Sequence, residues 1–153
     1  MLEEPRDWLP LMLPGTEGVS IKVYKMDEVT HRAVVKVRFD LRTSMPRQTY
    51  HCYAIAYTVS GSWSCDERSF DTGDIAYGTF GDDSTPTGEK DTEIMIVLDS
   101  PTGRYIDNAM PDGSVLHLGE RWLKALEGVG LPEYRQLDQM PLVDRLPDTR
   151  NVA

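Results

Sequence analysis

Apolar and polar residues alternate at every second position early in the sequence, and this alternation limits the chain to a β-rich fold. Val19, Ile21 and Val23 begin the pattern, a second run covers 33–41, and a third apolar segment covers 50–59. Side chains of a strand point alternately to the two faces of a sheet, so a period of two indicates half-buried strands. Because short connections join the three segments, the sequence predicts an antiparallel meander.

The third segment has apolar or small residues on both faces of the predicted strand. One face carries His51, Tyr53, Ile55, Tyr57 and Val59, and the other carries Cys52, Ala54 and Ala56. Strands that are covered on both faces have this composition, so we expect this strand near the centre of the sheet. The continuous apolar run 94–98 predicts another strand that is buried on both faces.

Helical periodicity appears only near the C-terminus. Four apolar residues recur at spacings that place them on one side of a helix: Leu118, Trp122, Leu123 and Leu126. Gly128 suits the position that follows the last helical turn. The predicted fold class is therefore α+β, with an antiparallel β-sheet meander, half-barrel or sandwich-like, and one C-terminal amphipathic helix packed on it.

A length of 153 residues suits one domain with its own core. We divide the chain into a proline-punctuated apolar N-terminal arm (1–16), a single β-rich domain (17–140) with an acidic loop insertion (61–93), and an irregular tail (141–153). Prolines disfavour helix in the arm, so it is expected to be extended. The arm lies either across the protein's own core or on a partner.

Negative charge is concentrated in residues 61–112, which hold twelve acidic and three basic residues, a net charge of −9. This value equals the formal charge of the whole chain, so the two flanks cancel. The density of Gly, Asp, Ser and Thr predicts turns and loops. Such a surface repels phosphate backbones and anionic head groups, so we expect no direct binding to nucleic acid or to a membrane.

The two cysteines, Cys52 and Cys65, are interpreted as free thiols. Small secreted domains usually carry more cysteines, and the N-terminus has neither a basic region nor an uninterrupted apolar run. No window reaches the roughly 18 apolar residues of a membrane span. We therefore expect a soluble cytoplasmic protein, in the cytoplasm of a host cell if a phage encodes it.

The triplet Asp71-Thr72-Gly73 resembles the catalytic turn of aspartic peptidases, in which two carboxylates share a proton and activate water. The stretch 115–119, followed by Trp122, Leu123 and Leu126, resembles the segment that opens the C-terminal helix in the retroviral-type, dimeric branch of that family. The resemblance implies a hydrolase in which Asp71 faces its own copy in a homodimer. The alternative is an Asx-type turn.

Acidic side chains between residues 66 and 91 could supply oxygen ligands to calcium, but their spacing fails the EF-hand pattern. The three histidines, His31, His51 and His117, lack zinc-ligand spacing. His51, on an apolar face, is interpreted as a satisfied core histidine. We therefore expect no metal and no cofactor.

The leading hypothesis is a non-enzymatic protein that uses its acidic surface to bind a basic surface on another protein. Inhibitors, immunity proteins, phage counter-defence proteins and small assembly subunits work in this way. The predicted binding residues are Trp8, Trp63, Asp66, Glu67, Asp71, Asp74, Asp82, Asp83, Glu89 and Asp91. A homo-oligomer is also possible on this hypothesis.

Two alternatives compete with this hypothesis. The basic outer face of the first two strands could neutralise the acidic loops within the molecule, through Lys22, Lys36, Arg38 and Arg42. A small-ligand carrier would instead use the aromatic face from Tyr53 to Tyr57 to line an apolar pocket inside a half-barrel.

Overall fold

All the sheets of the described chain are built by antiparallel pairing. The computed structural model describes residues 2–11, 13–134 and 144–146. The strands are β1 (Leu9–Pro10), β2 (Val19–Asp27), β3 (Arg32–Phe39), β4 (Thr43–Ser44), β5 (Arg47–Tyr50), β6 (Tyr53–Ser60), β7 (Ser62–Cys65), β8 (Arg68–Asp71), β9 (Ile75–Gly78), β10 (Asp83–Ser84), β11 (Pro86–Gly88), β12 (Thr92–Asp99), β13 (Arg104–Ala109), β14 (Val115–Gly119) and β15 (Asp144–Leu146). The helices are α1 (Glu120–Leu126) and α2 (Leu131–Tyr134).

Three sheets enclose one interior. A six-stranded sheet has the order β1-β2-β3-β12-β6-β9, a five-stranded sheet has the order β10-β5-β13-β14-β15, and a four-stranded sheet has the order β4-β11-β7-β8. The structure therefore confirms a mostly antiparallel β-rich fold with short helices. Neither described helix is long and apolar enough to cross a membrane.

Strand β12 lies between β3 and β6, so the predicted meander of three consecutive strands is wrong. β12 pairs with β3 from Thr92↔Phe39 to Asp99↔Arg32, and with β6 on its other side. A strand that is apolar on both faces is most stable where neighbouring strands satisfy its backbone on both edges and its side chains are covered. The run 94–98 meets this condition at the centre of the sheet.

The period-two pattern correctly identifies the inward faces of β2 and β3. Val19, Ile21 and Val23 are buried on β2, and Val35 and Phe39 are buried on β3. On β6 the small residues face inward, since Ala54 and Ala56 are buried while the aromatic face is exposed. The core thus lies between the sheets, against the small-residue face of β6.

The acidic segment 61–93 contains five short strands, β7 to β11, and the prediction that it is mostly loop is wrong. Strands β7 and β8 form a hairpin in which Trp63 lies opposite Phe70. Its turn includes Asp66 at a positive φ of 54°. Asp tolerates this conformation, so the Gly- and Asp-rich composition marks tight turns between strands.

The N-terminal arm lies on the protein's own core. Leu9 pairs with Ile21 of β2. Leu9, Leu11 and Leu13 are all buried. Of the two predicted alternatives, the arm therefore packs on the protein's own core and not on a partner. Apolar side chains at alternate positions of an extended segment can all reach the core.

The helix α1 begins two residues later than the first apolar residue assigned to it. Leu118 ends strand β14, while Trp122, Leu123 and Leu126 are buried on α1. Gly128 has a positive φ of 73°, as expected just after a helix. The predicted tail 141–153 lies outside the described residues except for Asp144–Leu146, which pairs with β14.

Candidate functional site

An apolar cavity of about 130 Å³ lies between the sheets. Its lining residues come from all three sheets, the N-terminal arm and α1. They are Leu11, Leu13, Ile21, Val35, Val37, Phe39, Met45, Gln48, Tyr50, Ala54, Ala56, Trp63, Pro86, Ile94, Ile96, Leu98, Tyr105, Ile106, Asn108, Leu118, Trp122 and Leu123. None of these residues is charged, and none is a histidine or a cysteine.

A pair of neutral amides forms the polar part of this lining. Gln48 on β5 lies directly opposite Asn108 on β13, and both residues are buried, with 8% and 1% exposure. The Asn108 Nδ2 group donates to the Leu116 carbonyl at 3.4 Å. Within the described part of the chain, the Gln48 amide and the Asn108 carbonyl oxygen have no hydrogen bond. Both groups are therefore available to a molecule in the cavity.

Two tyrosines add phenol groups to the lining. Burial is the main cause that raises the pKa of Tyr50 and of Tyr105 above that of a free phenol. The Tyr105 hydroxyl donates to the His31 carbonyl at 2.9 Å. The Tyr50 ring packs on Gly78, where a Cβ would come within 2.4 Å of the ring. Both phenols stay protonated at neutral pH and act as neutral hydrogen-bonding groups.

Trp63, predicted as a surface recognition residue, lies in the core and lines the cavity. Only 9% of it is exposed, and its ring stacks on Phe70 at 4.5 Å between centroids. Its indole N–H donates to Thr58 Oγ1 at 2.8 Å. The short hairpin of β7 and β8 turns the indole inward, and composition alone could not show this.

Several of the predicted acidic binding residues bind groups of the same chain. Asp83 pairs with Arg47 at 2.9 Å, and Glu89 pairs with Arg42 at 3.1 Å. These contacts agree with the alternative in which basic residues neutralise the acidic segment internally. Such exposed pairs contribute little to stability, roughly 0–1 kcal/mol each.

Other acidic residues of the set close turns of the backbone. Asp74 accepts a hydrogen bond from the Asp71 N–H at 2.7 Å, and Asp82 accepts one from the Thr79 N–H at 2.8 Å. Asp66 instead accepts one from the Thr85 N–H at 3.3 Å, which links two segments that are 19 residues apart. Asp91, which has a positive φ of 64°, lies in the turn before β12. Carboxylates commonly cap turns in this way.

The remaining predicted residues do not form one site. Glu67 is exposed on the turn between β7 and β8. Trp8 lies on the outer face of the six-stranded sheet, beneath Lys22 and Arg38, whose cationic groups are 5.0 and 4.6 Å from the ring centroid. The structure thus separates Trp8 from the acidic segment and from the buried Trp63.

The aspartic-peptidase hypothesis is not supported. Asp71 is exposed at the end of β8, and its N–H binds the Asp74 carboxylate in the turn to β9. A catalytic carboxylate of that class needs a buried, proton-sharing partner. The triplet is therefore a turn, which was the alternative interpretation.

Among the described residues, no group of three or more His, Cys, Asp or Glu side chains could hold a metal ion. The cavity lining lacks the imidazole and carboxylate ligands of the facial triad that binds iron in oxygenases. A metal centre of that kind therefore does not fit the described cavity.

Solved structures with a similar fold include cupins and cupin-like proteins. An RmlC-like cupin from Ralstonia eutropha JMP134 has a TM-score of 0.57 and 22% identity, covering 77% of this chain and 71% of the other. An acetylacetone dioxygenase from Acinetobacter johnsonii has a TM-score of 0.62 and 10% identity, covering 78% and 87%. The polyketide cyclase RemF from Streptomyces resistomycificus has a TM-score of 0.56 and 11% identity, covering 72% and 87%. The fold of this chain is therefore cupin-like.

No protein-family model matches the chain. No curated protein matches it either. At these identities the structural likeness shows the fold alone.

The comparisons contradict the prediction of a non-enzymatic protein-binding protein. The neighbours named above are a cupin, a dioxygenase and a cyclase, and their names indicate small-molecule or enzymatic functions. The contacts explain the error physically, since the acidic residues cap turns or pair within the chain and Trp63 is buried. The prediction that the chain is not an enzyme loses its support, because proteins with this fold include enzymes.

The small-ligand alternative assigned the wrong face of β6 to the pocket. Tyr53 and Tyr57 lie on the outer face, and Ala54 and Ala56 line the cavity. Gln48 and Asn108 were not among the predicted site residues. The only sequence clue was Asn108 two positions after Ile106 in an alternating segment, where an inward apolar residue is expected.

Proposed function

We propose that this protein binds a small, neutral, mainly apolar molecule in the interior cavity. The observation that carries the proposal is an uncharged lining of twenty-two residues in which Gln48 and Asn108 supply neighbouring amide groups. Ligand pockets are commonly apolar with a few placed polar groups that fix orientation. The neighbours that are named as enzymes support a small-molecule function.

The size of the cavity limits the ligand. An engineered cavity of about 150 Å³ lined by apolar side chains binds benzene. The cavity here, about 130 Å³, suits a molecule of the size of a single six-membered ring.

The amide pair favours a hydroxyl group on that ring. A hydroxyl can donate to the Asn108 carbonyl oxygen and accept from the Gln48 amide, which would satisfy both buried groups. Leaving a buried polar group without a partner costs about 1–3 kcal/mol. A carboxylate ligand is disfavoured, since no lining side chain is cationic and burying an unpaired charge costs more still.

A reaction on the bound molecule is supported by the enzymatic names of two neighbours. The cavity residues themselves support binding, because the raised pKa values of Tyr50 and Tyr105 leave no lining group that exchanges a proton near neutral pH. Binding is therefore the function that the geometry supports best.

A calorimetric titration with phenol and with benzoate tests this proposal. We expect phenol to bind with one site per chain and to change the fluorescence of the lining tryptophans, while benzoate does not bind. The variant Ala56→Leu fills the cavity and should abolish phenol binding. The matched variant Ala109→Leu, on the exposed end of β13, should leave it unchanged. Equal binding of phenol by Ala56→Leu and wild type would overturn the proposal.

The expected cytoplasmic location is retained as part of the proposal. Cys52 and Cys65 are both free in the structure. Burial raises the pKa of the Cys52 thiol to about 12, so this thiol is unreactive at neutral pH. Free thiols are typical of reducing compartments.

A further inference from the structure

The outer face of the six-stranded sheet carries a cluster of exposed large side chains, which we call the β6–β9 patch. It consists of Tyr53, Ile55 and Tyr57 on β6 with Ile75 and Tyr77 on β9. Their exposed fractions are 46%, 47%, 38%, 63% and 60%. Outward positions of a sheet that faces water are normally polar, so this composition needs a physical explanation.

The patch is continuous across the strands. Ile55 lies opposite Tyr77, and Tyr57 lies opposite Ile75, so four of its members form two cross-strand pairs. On the other side of β6, the half-buried Val97 of β12 lies opposite Ile55. Directly opposed side chains are only about 4.5–5.5 Å apart at Cβ. The patch is therefore one surface and not a scatter of single apolar residues.

The area of the patch approaches what a stable dimer needs. Aromatic side chains bury about 150–250 Å² when fully covered, so five half-exposed large side chains offer roughly 500 Å². With a rim of neighbouring residues this approaches the roughly 800 Å² that each partner contributes to a standard interface. The largest apolar patch on a typical monomer, about 300–600 Å², is often functional.

The patch is a surface at which two copies of this chain can meet without strong charge repulsion. The chain carries a net charge of −9, so two copies repel each other over most of their surfaces. The patch itself has no charged side chain. Two ion pairs at its border are made within the chain, Lys36 with Glu93 at 3.3 Å and Arg32 with Asp99 at 3.4 Å. These four charges would therefore stay paired if two patches met.

The shape of the patch also suits its own copy. A two-fold contact places the same surface on both partners, which requires self-complementarity. Rows of Tyr and Ile on a sheet can pack against an identical face, as sheets do in a β-sandwich. The patch offers neither the charge nor a pocket that would select a different protein.

Strand β9 gives a second reason to expect that another molecule covers the patch. It is the last strand of its sheet within the described residues, and its sequence Ile-Ala-Tyr-Gly has no charge and no proline. Exposed edge strands usually carry such residues, which prevent uncontrolled pairing between molecules. From these observations we propose that the protein is a homodimer in which the β6–β9 patch packs on its own copy.

Sedimentation equilibrium over a dilution series of the full chain tests this proposal. We expect wild type to be a dimer that dissociates reversibly on dilution. The variant Tyr77→Glu adds one buried charge to each partner and should be monomeric. The matched control Val29→Glu adds the same charge at a residue that is 90% exposed on the turn between β2 and β3, and it should remain a dimer.

A milder variant covers the case in which Tyr77→Glu fails to fold. Tyr77→Ser adds no charge, and we expect it to raise the dimer dissociation constant about tenfold or more, since 1.4 kcal/mol corresponds to a factor of ten. A circular dichroism melt establishes that each variant is folded. If wild type is monomeric at every concentration, the proposal is overturned. This holds whether the patch is exposed to solvent or binds a different molecule. A dimer that Tyr77→Ser leaves unchanged also overturns it.

Discussion

Gln48 and Asn108 lie directly opposite each other on strands β5 and β13, and both side chains line the interior cavity. Their other neighbours in the cavity are almost entirely apolar. Because the Gln48 amide has no hydrogen bond within the described chain, this pair is the polar feature from which ligand specificity can arise.

Replacing Gln48 with leucine should remove the preference for a hydroxyl group on the ligand. Gln48→Leu keeps a similar side-chain volume, so benzene should bind as it does in wild type. Phenol should bind roughly five- to tenfold more weakly relative to benzene, since one hydrogen bond contributes about 1 kcal/mol. Parallel calorimetric titrations measure the ratio of the two affinities.

Thr49→Val is the control for this change, because Thr49 lies on the same strand but its side chain lies near Asp83, outside the cavity. It should leave the ratio of phenol to benzene affinity unchanged. An unaltered ratio in Gln48→Leu would show that the amide pair does not orient the ligand.

Gly88 is required by its contact with an aromatic ring. A Cβ at this position would lie 2.4 Å from the Phe39 ring, which is buried in the core. Gly88→Ala should therefore lower the free energy of unfolding by about 1–3 kcal/mol, as overpacked cores do. Urea denaturation measures the loss.

The double variant Gly88→Ala/Phe39→Leu separates packing from other effects of the alanine. The smaller leucine makes room for the new methyl group, so the two changes together should cost less than the sum of the single changes. Strict additivity would mean that the ring contact is not the cause.

Asp107 should make stability depend on pH in the acid range. Burial disfavours its carboxylate, but hydrogen bonds from His51, His117 and Arg104 outweigh this effect and lower its pKa. The Nε2 atom of His51 is 2.7 Å from one carboxylate oxygen, and Arg104 is 2.9 Å from the same oxygen. His51 is thus a partner in an outer-face network and not the core histidine that the sequence predicts.

The lowered pKa of Asp107 fixes the direction in which stability changes with pH. A carboxyl group whose pKa is lower in the folded state stabilises the protein above its unfolded pKa, about 3.9 for Asp. This contribution is lost as the pH falls through the lower folded value. Thermal melts of wild type should therefore show a decline below about pH 4, and Asp107→Asn should show a smaller decline there. The exposed Glu67→Gln is the control, and equal slopes in Asp107→Asn and wild type would contradict the assignment.

Local sequence patterns predict the strands that have one buried and one exposed face. Strands β2 and β3 each have one buried face, so alternation alone identifies their inward residues. The buried strand β12 is also predicted, but its place between β3 and β6 is not. Strand order depends on pairing between segments that are distant in sequence, and a local period carries no information about it.

The candidate site was missed for a related reason. Trp63 lies among Gly, Ser and Asp, which indicate surface, yet the β7–β8 hairpin places it against Phe70 in the core. Gln48 follows Pro46 and lies in the connection between the second and third predicted strands, yet β13 pairs with it and makes it part of a sheet. In both cases contacts across the fold override local composition.

The arm residue Leu13 should control both stability and the size of the ligand. Leu13 is buried and lines the cavity. Leu13→Ala should lower the free energy of unfolding by about 2–5 kcal/mol, as large-to-small core substitutions do. It should also enlarge the cavity, so that 2-naphthol gains affinity relative to phenol. Leu2→Ala, at an exposed residue of the same arm, should change neither property. Loss of stability without a gain for 2-naphthol would show that the arm supports the core but does not bound the ligand site.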